Sequence, residues 1–131
     1  MLKQGRCLVQ IEIRTLMMVD SLDITDTERL LILEQCQNAE EDRIIITHGT
    51  DTMSNTAQLL GESIKDKTII LTGALAPYVF GSSDGLFNLG CAIAFVQTLS
   101  PGVYIAMNGL YFPWYNVKKE KESGNFTPLT K

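Results

Sequence analysis

Two spacings of apolar residues run through the chain, one of strand period and one of helix period. Cys7 to Ile13 alternates in part, with Val9, Ile11 and Ile13 set against Gln10 and Glu12, and reads as a strand. Thr15 to Val19 is a short apolar run that also reads as a strand. Thr25-Asp26-Thr27-Glu28 has capping-box spacing, with Thr25 as N-cap and Glu28 at the third helical position. The helix it opens carries Leu30, Leu31, Leu33 and Cys36 and is expected to end near Asn38 to Glu41. Arg43 to Thr47 reads as a buried strand, too short for a helix. Met53, Ala57, Leu60 and Ile64 then mark a helix from about Asp51 to Lys65, and Lys67 to Thr72 is another buried strand. Gly73 to Gly81 reads as a loop. Ser83 is the expected cap of a helix with Leu86, Leu89, Ile93 and Val96 on one face, stopped by Ser100-Pro101-Gly102. Val103 to Met107 is a strand, followed by Asn108-Gly109 and an aromatic loop through Trp114 and Tyr115. The charged tail from Lys118 to Lys131 is expected to be loose.

Alternating strands and helices with short connections predict βαβ units around a parallel sheet covered on both faces. The expected fold is α/β: a three-layer, flavodoxin-like or Rossmann-like domain, with residues 1–131 forming a single domain. Size agrees, since 131 residues suffice for one domain with a real core.

Charge narrows the partners. A net charge of -4 argues against the basic face that nucleic acid requires and supplies no polybasic patch for a membrane. No apolar run is long enough to span a bilayer, and Gln10, Glu12 and Arg14 interrupt what could be a secretory leader. Cys7, Cys36 and Cys91 are odd in number and far apart, so no disulfide framework or metal-ligand spacing follows. They read as buried thiols in a reducing cytoplasm.

Polar clusters follow the strands. Asp20-Ser21-Leu22-Asp23 follows Val19, His48-Gly49-Thr50-Asp51 follows Thr47, Gly73-Ala74 follows Thr72, and Asn108-Gly109 follows Met107. A parallel sheet brings all four to one edge, where open α/β sheets bind their ligands. The run Thr47 to Thr52 around the second cluster combines hydroxyls, a carboxylate and the only histidine in a tight strand-to-helix turn. Blander roles fit the same residues. Thr50 and Asp51 suit the start of a helix, Ser21 and Asp23 suit a turn, and His48 suits a structural hydrogen bond. Lys119 lies in a charged run that reads as solvated. Ser82-Ser83-Asp84 suits a helix start, and Asn88 suits a fold-stabilising role. The aromatics from Tyr111 to Tyr115 suit a lid or an oligomer contact.

The combination resembles the bacterial L-asparaginases. The matching segments are DSLDIT at Asp20 to Thr25, THGTDTM at Thr47 to Met53 and TGA at Thr72 to Ala74. SSDGLFNL at Ser82 to Leu89, GVYIAMNG at Gly102 to Gly109 and NVKK at Asn116 to Lys119 continue it in the same order. The resemblance covers about residues 16–126 and is nearest to a short branch without the second domain of full-length enzymes. It implies a fold of the asparaginase N-terminal-domain type. It also implies hydrolysis of the side-chain amide of asparagine, with glutamine as a further candidate, and neither cofactor nor metal. Position by position, the resemblance implies that Thr50 matches the second catalytic threonine and Lys119 the lysine paired with it. Asp51 matches the carboxylate that grips the substrate ammonium, and Ser21 a hydroxyl that holds its carboxylate. Ala74 matches the position whose backbone carbonyl faces the substrate amide. The residue types fit, because a threonine hydroxyl needs a neighbouring base, and a lysine that loses its proton can serve.

The chain departs from the family pattern twice. The Thr-Gly-Gly-Thr-Ile type of strand, whose first threonine is the usual nucleophile, does not occur in it, and Leu22 stands where a glutamine often binds the ammonium. Three readings follow: an amidohydrolase in which Thr50 acts alone or a second chain completes the site, a degenerate relative that binds a small amino acid without turnover, or a coding start placed too late. The expectation for this chain is ammonia release lowered by roughly 10³-fold or more. A homo-oligomer is also expected, because loss of that strand exposes an edge.

Overall fold

The computed structural model describes residues 2–18, 21–76 and 83–130, with Ser21 described by its backbone alone. A 3-10 turn at Ser21–Asp23 leads into helix α1 (Asp26–Asn38). Strand β1 (Arg43–Thr47), helix α2 (Met53–Ser63), strand β2 (Thr68–Thr72) and helix α3 (Gly85–Thr98) follow. Strands β3 (Gly102–Met107), β4 (Leu110–Pro113), β5 (Lys118–Lys119) and β6 (Phe126–Thr127) complete the order.

The main sheet runs β1-β2-β3-β4. Its first three strands are parallel, in register from Arg43 against Thr68 and from Thr68 against Gly102. β4 is antiparallel to β3, which corrects both the expected all-parallel sheet and the expected aromatic loop. The reason lies in Asn108 and Gly109, whose φ values of 59° and 81° form the two-residue turn that matches strand twist and folds the chain straight back.

Side chains of β2 alternate between two layers. Ile69 and Leu71 join Met53, Ala57 and Leu60 of α2 and Ile32 and Cys36 of α1. Ile70 joins Ala92 and Val96 of α3 on the opposite face, with Ala106 from β3. The result is the expected three-layer α/β domain, with all five β2 residues buried. The capping box forms as the spacing predicts: the Thr25 N–H donates to the Glu28 carboxylate at 3.0 Å. The Thr25 hydroxyl donates to the same carboxylate, and these bonds hold the Glu28 carboxyl below its usual value. Lys67 closes the far end of α1. Its buried ammonium donates to the carbonyls of Ala39 at 2.5 Å and Glu41 at 2.9 Å, which favours the negative end of the helix dipole.

Three further expectations are corrected. Residues 7–13 and 15–18 form no strand, since no neighbouring strand offers them a ladder among the described residues; Val19 lies outside those residues. Leu8 and Ile13 consequently stand 98% and 74% exposed. The tail is not loose: β5 and β6 pair antiparallel, and Phe126 is buried in the larger core cluster. Of the three thiols only Cys36 is buried, and burial pushes its pKa up to about 11; Cys7 and Cys91 are half-buried.

Candidate functional site

The carboxyl end of β1 turns sharply into α2, and that turn holds the 48–51 cluster. The helix starts at Met53 with Thr52 at its N-cap, so Thr50 does not occupy the cap position. Thr50 is buried, at 8% exposure, and its hydroxyl oxygen accepts from the Lys119 ammonium at 2.8 Å. The same ammonium donates to the Asp51 carboxylate, also at 2.8 Å. Lys119 reaches this turn because β5 is fixed by its pairing with β6, with Lys119 opposite the buried Phe126. The hairpin in the tail therefore brings a distant residue to the β1–α2 turn.

His48 braces the turn from beneath. Its Nδ1–H donates to the Gly49 carbonyl at 2.6 Å, and Nε2 accepts from the Thr56 hydroxyl at 2.8 Å, the roles that a neutral ring assigns. Burial lowers the pKa of His48, and the Arg29 charge lowers it further against the opposing Gly49 bond. Both ring nitrogens are thus engaged, which suits the structural role.

The turn after β2 abuts this cluster. A Cβ on Gly73 would lie 2.2 Å from the His48 carbonyl oxygen, so only glycine permits the approach. Ala74 is the next residue along the chain. From the other side come residues that the sequence suggests only as a helix start. The N-cap of α3 is Asp84, not Ser83, yet Asp84 makes no side-chain capping bond to its own helix. Its carboxylate accepts from the N–H groups of Leu75 and Ala76 at 3.1 and 3.0 Å. Burial pushes the Asp84 pKa up, but these bonds and the Asn88 amide outweigh it and leave the carboxyl below its ordinary value. Asn88 itself is fully buried and bonds the Gly73 carbonyl at 2.8 Å. The four-residue spacing of Asp84 and Asn88 at a helix start is the signal that could have found them.

The structure thus joins Thr50, Asp51 and Lys119 directly, and the Gly73 that precedes Ala74 meets the His48 carbonyl. The backbone of Ser21 lies in the 3-10 turn before α1, and its side chain lies outside the described residues. A separate open cavity of about 330 Å³ is lined by Ser54, Asn55, Gln58, Trp114, Tyr115, Val117 and Leu129. No group of His, Cys, Asp and Glu suited to a metal occurs among the described residues.

Comparison with known proteins adds to this geometry. The family model described as "Asparaginase, N-terminal" matches residues 1–126. The chain is 36% identical over 109 residues to the glutaminase-asparaginase of Acinetobacter glutaminasificans, covering 77% of this chain and 33% of that protein. It is 32% identical over 124 residues to L-asparaginase 2 of Escherichia coli, covering 85% and 36%. The thermostable L-asparaginase from Thermococcus kodakarensis superposes with a TM-score of 0.90 at 28% identity, over 99% of this chain and 43% of that one. The chain therefore spans about a third of the length of the curated relatives it matches.

Proposed function

This chain belongs to the asparaginase family, in its N-terminal part, and from that premise we propose that it carries an asparaginase-type amidohydrolase site acting on L-asparagine. The observation that carries the reading is the single ammonium of Lys119, 2.8 Å from both Thr50 and Asp51. In this reading Asp51 receives the α-ammonium of the amino acid and Ser21 binds its carboxylate. The carbonyl of Ala74 faces the side-chain amide. Thr50 is the hydroxyl nucleophile, and Lys119 is the base that takes its proton. Attack on the amide carbon breaks the C–N bond as Lys119 passes that proton to the leaving nitrogen, giving an acyl-threonine and ammonia; water, giving a proton to Lys119 and then the Thr50 oxygen, adds to the ester and releases L-aspartate.

A second reading, amino-acid binding without turnover, is favoured by the ion pair that Lys119 makes with Asp51 at 2.8 Å. As an ammonium paired with Asp51, Lys119 holds the Thr50 oxygen but has no lone pair to accept its proton. Turnover requires the amine form, and binding does not.

Two measurements separate these readings. Calorimetric titration with L-aspartate is expected to give saturable binding that Asp51→Asn weakens by roughly tenfold. A coupled ammonia assay with L-asparagine is expected to show release at least roughly 10³-fold slower than that of a full-length relative, and abolished by Thr50→Ala. Binding without ammonia release establishes the second reading, and absence of binding overturns both. The reading carries with it a cytoplasmic setting and a homo-oligomer. The oligomer is supported by β1, which pairs on one edge only among the described residues. Light scattering at micromolar concentration is expected to give at least twice the 14.6 kDa chain mass.

A further inference from the structure

We propose that Asp84 and Asn88 are positioning residues that fix the backbone around Ala74 so that its carbonyl is held out to the substrate amide. The inference rests on the asparaginase-type reading above. It begins from the bonds that converge on residues 73–76. The Asn88 amide nitrogen donates to the Gly73 carbonyl at 2.8 Å and to the Asp84 carboxylate at 3.0 Å. The Asn88 carbonyl oxygen accepts from the Asn108 N–H at 3.1 Å, which ties the turn after β3 to the same point. Asp84 accepts from the N–H groups of Leu75 and Ala76. The Ser83 hydroxyl donates to the Ala76 carbonyl at 2.5 Å and accepts from the Gly85 N–H at 2.9 Å.

These bonds occupy Gly73, Leu75 and Ala76, on both sides of Ala74, and do not use the Ala74 carbonyl. An ordinary helix cap would direct the Asp84 carboxylate to the first turn of α3. Here it crosses to the loop after β2 instead. Gly73 meets the His48 carbonyl on the opposite side, so the loop cannot relax toward β1. A backbone carbonyl held between fixed neighbours has its orientation set before the ligand arrives, and preorganisation of this kind lowers the ordering cost of binding. Asn88 has the right chemistry for the centre of the clamp, because an amide both donates and accepts in one buried position.

The test uses the whole chain and L-aspartate as the probe, titrated calorimetrically and followed at the Ala74 amide by nuclear magnetic resonance. Asp84→Asn keeps the side-chain shape but turns an amide N–H₂ toward one of the two backbone donors. It is expected to weaken L-aspartate binding by roughly tenfold and to shift the Ala74 resonance in the free protein. Val96→Ala, a core change at the other end of α3, controls for general loosening and is expected to leave the dissociation constant within about twofold of wild type. If Asp84→Asn binds like wild type, the clamp is overturned while the amino-acid site stands. If wild type itself fails to bind, the asparaginase-type reading falls and the clamp falls with it. Should Asp84→Asn not fold, Ser83→Ala removes one pair of these bonds. An effect of about threefold is then expected, and unchanged binding overturns the proposal.

Discussion

Residues 68–72 and residues 8–14 are both rich in strand-forming side chains, yet one is the buried centre of the sheet and the other is exposed and joins no sheet among the described residues. The first, Thr-Ile-Ile-Leu-Thr, has β1 on one side and β3 on the other and a helix layer on each face. The second has Val9, Ile11 and Ile13 alternating with Gln10, Glu12 and Arg14, a cleaner strand pattern by period alone. The difference lies outside both segments. Period nominates a strand, but a ladder of hydrogen bonds needs a second backbone, and none lies beside residues 8–14 among those described.

The sharpest way to break this contrast is to truncate one side chain in each segment. Leu71→Ala, at a position with no exposure, is expected to cost about 2–5 kcal/mol in urea unfolding. Ile13→Ala is expected to change stability by less than about 0.5 kcal/mol. A large effect at Ile13 would mean that the segment is covered in solution. Glycine substitutions sharpen the same contrast between packed and open positions. Gly73→Ala forces a Cβ against the His48 carbonyl and is expected to destabilise by about 1–3 kcal/mol. Gly90→Ala, on the open side of α3 with nothing within 4 Å, is expected to stabilise by about 0.5–1 kcal/mol. Thermal unfolding of the two variants checks both signs. The smallest effect concerns β1, which lies between the two regimes with one paired edge and with His48 at its end. Because the folded protein holds His48 below its ordinary value of 6.5, the unfolded chain binds the extra proton first as pH falls. Stability from this source is complete above about pH 6.5 and is lost as pH falls below it toward the folded value. Melting temperatures at pH 7 and pH 5 are expected to differ less in His48→Gln than in wild type.

What the chain reveals before folding follows the same division. Local signals were sufficient where the determining contacts are local. The Thr25–Glu28 box, the β1 and β2 strands and the cores of α1, α2 and α3 lie close to where periodicity sets them. The Asn108-Gly109 turn was equally legible in principle. Read as the start of a loop, it hid β4, although that dipeptide between apolar runs is a strong hairpin signal. Long-range contacts were not legible from spacing. Lys119 sits in a run of charges, and only the β5–β6 pairing carries it to Thr50. The buried ammonium of Lys67 depends likewise on carbonyls at the end of a helix 26 to 28 positions earlier, which no spacing signals. Asp84 reads as a helix start and Asn88 as a fold-stabilising residue, and their spacing alone does not reveal that both bond the loop after β2.

One packing contact makes the protein its own optical probe. The only tryptophan, Trp114, lies flat on α2, where a Cβ at Gly61 would come within 2.3 Å of the indole ring, and the Lys65 ammonium stands 5.7 Å from the ring centroid. Its fluorescence therefore reports whether the chain just beyond β4 is seated on the helix that begins at the Thr50 turn. Emission from this single ring follows the undocking of that segment, while circular dichroism follows the helices as a whole. If the two signals separate during unfolding, the segment that leads to Lys119 lifts before the layered core melts.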